Sequence, residues 1–193
     1  EFERRVREAL REPLENLSVS IARAKLKVEF PADFQLLAAM NPCPCGWHGH
    51  PQGRCKCRLE QIAGYQDRIS GPVMDRIDLF VALTLNDEHW LELPPGEASA
   101  AVRKRVEIAR TTQFKRQKTV NARLPDADLD ACCPMTADSS GLLSNVIKRH
   151  QLSARAIQRI RRVARTCADL DGAQQIDVLH FAEAFQYRQQ LAQ

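Results

Sequence analysis

Four cysteines carry the sharpest chemical signal in this chain. Cys43-Pro-Cys45 and Cys55-Lys-Cys57 are two Cys-x-Cys pairs, nine residues apart, in a loop containing glycine and proline. Four thiolates on two short knuckles can close a tetrahedron around a structural Zn²⁺. Such an ion lets a loop with no core of its own hold one shape. The alternative is a set of free or disulfide-bonded cysteines. His48 and His50 lie in the same loop and could replace a thiolate, although four cysteines already complete a structural site. A catalytic zinc needs an open position, and nothing in the pattern asks for one.

Three polar residues stand where ligands are often met. Asn41 ends the apolar run 34–40. Open α/β sheets place ligand-contacting groups at the C-terminal ends of such strands; capping of the following turn is the plainer role. Arg76, in Gly71-Pro-Val-Met-Asp-Arg-Ile-Asp78, precedes a second apolar run, and an ion pair with Asp75 or Asp78 would account for it. Arg155 follows Ser153, a good N-cap residue, and so falls in the first turn of a helix. A cation there opposes the helix dipole, which is easier to understand beside a bound anion. The alternative is an exposed, screened arginine. Arg23, Lys25 and Lys27 alternate along a strand-like stretch. A hairpin with a basic face could follow a nucleic-acid backbone, although solvated surface cations explain the same pattern.

The elements positioning these residues fall into two parts. Val6, Leu10 and Leu14 predict a helix over 3–15. Residues 18–29 read as strand, but the apolar parity switches from Val19 and Ile21 to Leu26 and Val28, so a turn is expected near 22–25. The apolar runs 34–40 and 77–85 read as buried strands of one parallel sheet, and 59–67 as a short polar helix. The Pro/Gly-containing stretch 86–97 reads as a linker. After it come helices at 98–117, 138–150, 153–170 (Ile157, Ile160, Ala164 and Cys167 on one face) and 176–190 (Ile176, Leu179, Ala182 and Phe185). The expected organisation is an α/β part over 1–90 and an all-helical domain over 91–193.

Composition bounds the function. The 193 residues are 44% apolar, which permits a globular core. No apolar run is long enough to span a membrane. The first residues are charged and show no signal region. Seven cysteines suit a reducing compartment better than a fully paired secreted scaffold, so a cytoplasmic location is expected. A formal net charge of +4 permits a polyanionic partner without requiring one.

Taken in order, several segments resemble one family. Leu10-Arg-Glu-Pro-Leu-Glu-Asn16 precedes Phe30-Pro-Ala-Asp-Phe-Gln-Leu-Leu-Ala-Ala-Met-Asn-Pro-Cys-Pro-Cys-Gly46. Ile69-Ser-Gly-Pro-Val-Met-Asp-Arg-Ile-Asp-Leu79, Leu152-Ser-Ala-Arg-Ala156 and Arg162-Val-Ala-Arg-Thr-Cys-Ala-Asp-Leu170 follow. This is similar to the ComM/YifB-like family, the magnesium-chelatase-like branch of the AAA+ ATPases. The resemblance implies a partial AAA+ core followed by a helical lid. It implies that Asn41 is sensor 1, Arg76 an arginine finger acting on a neighbour's ATP, and Arg155 sensor 2. It implies a pore-facing hairpin at 18–29, a homo-oligomer (a hexamer), ATP and Mg²⁺ in the full-length protein, and action on single-stranded or branched DNA, as in branch migration during natural transformation. Relatives often carry glycine near the positions of Leu17 and Leu26.

The resemblance also implies that the phosphate-cradling loop and the acidic metal-binding segment precede Glu1. Two other readings remain open from the residues: a chelatase-like remodeller of protein complexes, and a non-enzymatic zinc-stabilised nucleic-acid-binding module. No Gly-x-x-x-x-Gly-Lys-Ser/Thr occurs in the chain. Phosphoryl transfer needs positioned phosphates and Mg²⁺. Purified free of contaminating ATPases, this chain alone is expected to release no phosphate from ATP above background, as followed by a phosphate-release assay.

Overall fold

The structure is a computed structural model that describes residues 3–23, 26–83 and 94–189. The chain forms two compact units, Glu1–Ile77 and Asp78–Gln193.

In the first unit, α1 (Arg4–Ala9) and α2 (Arg11–Asn16) replace the single helix expected over 3–15. Pro13 explains the break. It has no N–H to offer the Ala9 carbonyl, and its ring crowds the preceding turn. Leu17 ends α2 in the left-handed region, at φ 59° and ψ 16°. For a residue with a Cβ that conformation costs about 1–2 kcal/mol. The Leu17 carbonyl accepts the Ala32 N–H at 2.7 Å and so closes the base of the hairpin that follows.

That hairpin pairs β1 (Ser18–Arg23) with β2 (Leu26–Pro31), antiparallel. The parity switch expected from the apolar residues is borne out. Val19↔Phe30, Ile21↔Val28 and Arg23↔Leu26 occupy one face; Ser20↔Glu29 and Ala22↔Lys27 occupy the other. The same register corrects the basic-face expectation. Arg23 and Lys27 lie on opposite faces, because the turn between them inverts the parity that a single strand would have kept. Lys25 lies outside the described residues.

The parallel sheet expected from 34–40 and 77–85 is not found among the described residues, whose one sheet is the antiparallel β1–β2 pair. Residues 34–40 and 77–83 are neither helix nor paired strand; 84 and 85 lie outside the described residues. An apolar run becomes a buried strand only if neighbours supply ladder partners and cover both faces, and here Leu37 is 94% exposed and Leu83 93%. Further along the first unit are α3 (Leu59–Gln66), as expected, and the single turn α4 (Gly71–Met74).

The second unit is helical, with α5 (Ser99–Gln117), the short α6 (Leu129–Cys132), α7 (Ala137–His150), α8 (Ala154–Leu170) and α9 (Val178–Gln189). Local signals set the ends. Thr136 and Ser153 cap α7 and α8 by accepting from Ser139 N and Ala156 N. Asp177 accepts the His180 N–H at 3.0 Å, while the Asp177 N–H donates to His180 Nδ1 at 3.1 Å, a reciprocal cap at the start of α9. The core joins Leu124, Leu129, Cys133, Val146, Ile160, Ala164, Ala168, Ile176, Phe181 and Ala184. On α9 the expected face is off by a step. His180, Phe181 and Ala184 turn inward, whereas Leu179 is 76% exposed. Ile176 is buried before the helix starts, bridged to Met135, so it does not share the helical period. Among the described residues no helix is long and apolar enough to cross a membrane.

A polar clasp ties α5 to α8. The buried Asp169 carboxylate accepts from Arg116 at 2.7 and 2.9 Å, from Arg165 Nε at 3.1 Å and from Asn121 Nδ2 at 2.8 Å. Arg165 is itself buried and donates to the carbonyls of Gln174 and Ala173 at 2.9 and 2.5 Å. Burial pushes the Asp169 pKa up, but the hydrogen bonds and positive charge of Arg116, Asn121 and Arg165 hold it below the ordinary carboxylate value. Removing one partner from a buried pair costs about 3–5 kcal/mol. Asp169→Ala should therefore lower the unfolding free energy by roughly that amount in urea titrations at pH 7. A depressed folded pKa stabilises above the unfolded value and ceases to do so as the folded carboxylate protonates. The gap between wild type and Asp169→Ala should therefore narrow below about pH 4.

Candidate metal centre and arginine positions

The loop that carries the four cysteines has little apolar material to fold on, and its turns are made by backbone geometry. Gly46, Gly49 and Gly53 have φ of 80°, 80° and 61°, which residues with a side chain rarely adopt. The Gly46 N–H donates to the Cys43 carbonyl at 3.0 Å, His50 N to Trp47 at 3.2 Å and Gly53 N to His50 at 2.9 Å. The loop ends in α3, where the Arg58 N–H donates to Gln61 Oε1 at 2.9 Å. Gln66, at the far end of α3, donates to the Pro42 carbonyl at 3.2 Å and so pins the start of the loop to the helix that follows it.

Inside this frame the four sulfurs converge. Cys43 Sγ lies 3.3 Å from Cys45 Sγ and 3.8 Å from Cys55 Sγ; Cys45 and Cys55 are 3.7 Å apart. All four, Cys57 included, lie within 4.8 Å of one another. Four sulfurs at about 2.3 Å from one tetrahedral ion stand about 3.8 Å apart, so the residues present fit an ion. Cys43 is fully buried, while His48 and His50 stand outside the sulfur cluster. The amides favour thiolate. Hydrogen bonds from the Lys56 and Trp47 amides lower the Cys45 pKa to about 6. Cys57 receives the Cys45 amide, which lowers it, yet the neighbouring sulfurs together with burial push it up to about 12. The first proton leaves readily and the last does not, because thiolate charge accumulates; a divalent cation removes that conflict.

The other three cysteines belong to the helical unit. Burial raises the thiols of Cys133 and Cys167 to about 11 and about 12, so they act as apolar packing. No cysteine forms a disulfide.

The polar residues singled out from sequence are not all in one place. Asn41 is exposed, two residues before Cys43. Arg76 follows α4 and donates to the Pro72 carbonyl at 2.6 Å and to the Glu15 carboxylate on α2. Glu15 is thus a partner of Arg76 that proximity in sequence did not suggest, and no local signal announced a contact spanning 61 residues. Asp78, in the second unit, is instead bonded by Arg159. Arg155 is half-buried in the first turn of α8, as its spacing from the Ser153 cap implied.

Comparison with known proteins identifies the sequence context. The family model for magnesium chelatase, subunit ChlI, matches residues 1–90. The model for the ChlI C-terminal region matches residues 96–188. An uncharacterized protein YifB from Salmonella typhimurium is 43% identical over 191 residues, 97% of this chain. YifB from Escherichia coli and the competence protein ComM from Haemophilus influenzae are each 42% identical, again over 97% of this chain. This chain spans 37% of the length of each of these relatives.

Removal of a bound ion should be visible in this loop before anything happens in the helical unit. Chelation under reducing conditions is expected to expose four thiols to a colourimetric thiol reagent and to leave the helical circular-dichroism signal largely intact. Because protons compete with the ion for thiolates, retention in dialysis should weaken as the pH is lowered from neutral.

Proposed function

Because this chain belongs to the magnesium-chelatase-like family, we propose that it supplies the sensing and trans-acting residues of an ATP-hydrolysing AAA+ motor that works on DNA as a homo-oligomer, a hexamer. In this reading Asn41 orients the attacking water. Arg155 meets the nucleotide from the helical lid, and Arg76 reaches the ATP of the neighbouring subunit. Cys43, Cys45, Cys55 and Cys57 hold a structural Zn²⁺, which supplies cross-linking rather than catalysis. The hairpin bearing Arg23, Lys25 and Lys27 meets DNA. The observation that carries the reading is the ordered match of both parts of the family along nearly the whole chain. Arg155 at a helix N-terminus, where anions are attracted, supports the lid assignment.

The Glu15 pairing gives the finger assignment a sharper test. A finger contributes roughly 10³–10⁵ in rate by stabilising charge that grows on the transferred phosphoryl group. In the full-length protein Arg76→Ala should therefore abolish most ATP turnover while leaving nucleotide binding intact. Arg76→Lys should rescue poorly, because an ammonium lacks the planar fork. Glu15→Gln removes the negative charge beside the guanidinium and should keep activity. If Arg76 is instead a structural ion pair, Glu15→Gln and Arg76→Ala should lower the melting temperature alike and act alike on turnover. Mixing Arg76→Ala subunits with subunits defective in the acidic metal-binding segment should restore part of the activity. DNA-stimulated hydrolysis is expected; hydrolysis indifferent to DNA would favour a remodeller of protein complexes.

A further inference from the structure

The outer side of the cysteine loop has features that metal binding does not use. Between Asp33 and Glu60 the chain has no acidic residue, yet it carries Arg54, Lys56 and Arg58. These three alternate with Cys55 and Cys57, so the cysteines turn toward the sulfur cluster and the cations turn out. All three cations are exposed, whereas the two cysteines are half-buried. The three cations also outweigh the double negative charge that four thiolates around a divalent ion would leave. Trp47 stands on the same loop and is 41% exposed. Its backbone is fixed, with the amide on Cys45 sulfur and the carbonyl on the His50 N–H. The Arg54 guanidinium lies 5.1 Å from the Trp47 ring centroid, and His50 meets the ring edge-on at 5.1 Å. The hairpin, by contrast, splits Arg23 and Lys27 between two faces.

We propose that this rim is a binding site for single-stranded nucleic acid, in which an unpaired base stacks on Trp47 and Arg54, Lys56 and Arg58 take the adjoining phosphates. A rigid, exposed indole beside a guanidinium is a stacking platform, and every base has a face to stack while only an unpaired base can offer it. The cations supply the salt-dependent attraction that follows the backbone. The proposal takes its use in the cell from the DNA-acting reading above, but binding itself belongs to this loop and can be measured on this chain.

The chain has two tryptophans, so Trp90→Phe leaves Trp47 as the sole reporter. The zinc-loaded Trp90→Phe protein is titrated with oligo(dT) of twenty residues, following Trp47 emission and the anisotropy of a fluorescein-labelled copy. The expected result is quenching of Trp47 and a dissociation constant raised about 5- to 100-fold by Trp47→Ala. Trp47→Phe should stay near wild type, and each cation removed should reduce the salt slope by about 1. Zinc content and melting temperature are measured for every variant. Should Trp47→Ala lose its zinc, Arg54→Ala and Lys56→Ala decide, and undiminished binding by both overturns the site. Undiminished binding by a zinc-loaded Trp47→Ala, with no quenching of Trp47, overturns it as well. If Arg23→Ala with Lys27→Ala then abolishes that binding, the DNA-acting reading survives without this site. Trp47-dependent binding by this chain, with no DNA stimulation of ATP hydrolysis in the full-length protein, upholds the site and removes the motor reading. Quenching that follows protein concentration without oligonucleotide overturns the proposal in favour of a contact between copies of the chain.

Discussion

A carboxylate with no exposure to water governs the helical unit. Asp169 is an acid that could not stay charged in an apolar interior without partners, because an isolated buried ion is far too costly. Its partners therefore have to be where they are. Arg116 comes from the last turn of α5, Asn121 from the turn beyond it, and Arg165 from one turn earlier on α8. Arg165 extends the network to the carbonyls of residues 173 and 174, just before the chain enters α9. One buried charge thus fixes α5 and the start of the last connection relative to α8. Greasy packing alone would tolerate sliding; directional hydrogen bonds to a single carboxylate do not. Arg155 sits fourteen residues earlier on the same helix, about 21 Å away at 1.5 Å per residue. The clasp therefore holds α8 at its far end, well away from Arg155.

The first unit is organised differently. Among its described residues only Pro13, Cys43, Ile62 and Val73 are buried. Four buried residues do not make a core, so most of the order in this unit comes from backbone hydrogen bonds, the Arg76–Glu15 contact and the convergence of four thiols. An ion at that convergence would contribute folding energy directly, since the unfolded chain has no such site.

How much of this was legible depended on the range of the interaction. Helix boundaries are local, and Thr136, Ser153 and the left-handed Leu17 and Gln151 sit at or beside the ends that the side-chain pattern indicated. The hairpin could be read because a parity switch is a local signature of a turn. The four thiols could be read because metal ligation constrains spacing within a short loop. The bonds that Arg116 and Asn121 make to Asp169 and the Arg76–Glu15 pair join residues 48 to 61 positions apart, so spacing held no trace of them beyond the Arg165/Asp169 helical interval. The runs 34–40 and 77–83 are unpaired among the described residues for a different reason. Their composition is that of strands, but a strand is a relation between segments, and composition describes one segment.

The run at 34–40 carries a further consequence. Phe34-Gln-Leu-Leu-Ala-Ala-Met40 has no charge, no proline and no glycine, and almost all of it is exposed. That is the composition of segments that stack into cross-β fibrils when copies meet. Pro31 and Asp33 stand before it, and Pro42 and Pro44 after it. A proline cannot donate to a growing ladder, and an aspartate stacked on its own copies repels itself, so these neighbours are gatekeepers that keep a hazardous segment short. Two of them, Pro42 and Pro44, flank Cys43, so the turn that begins the thiol cluster also marks where fibril growth must stop.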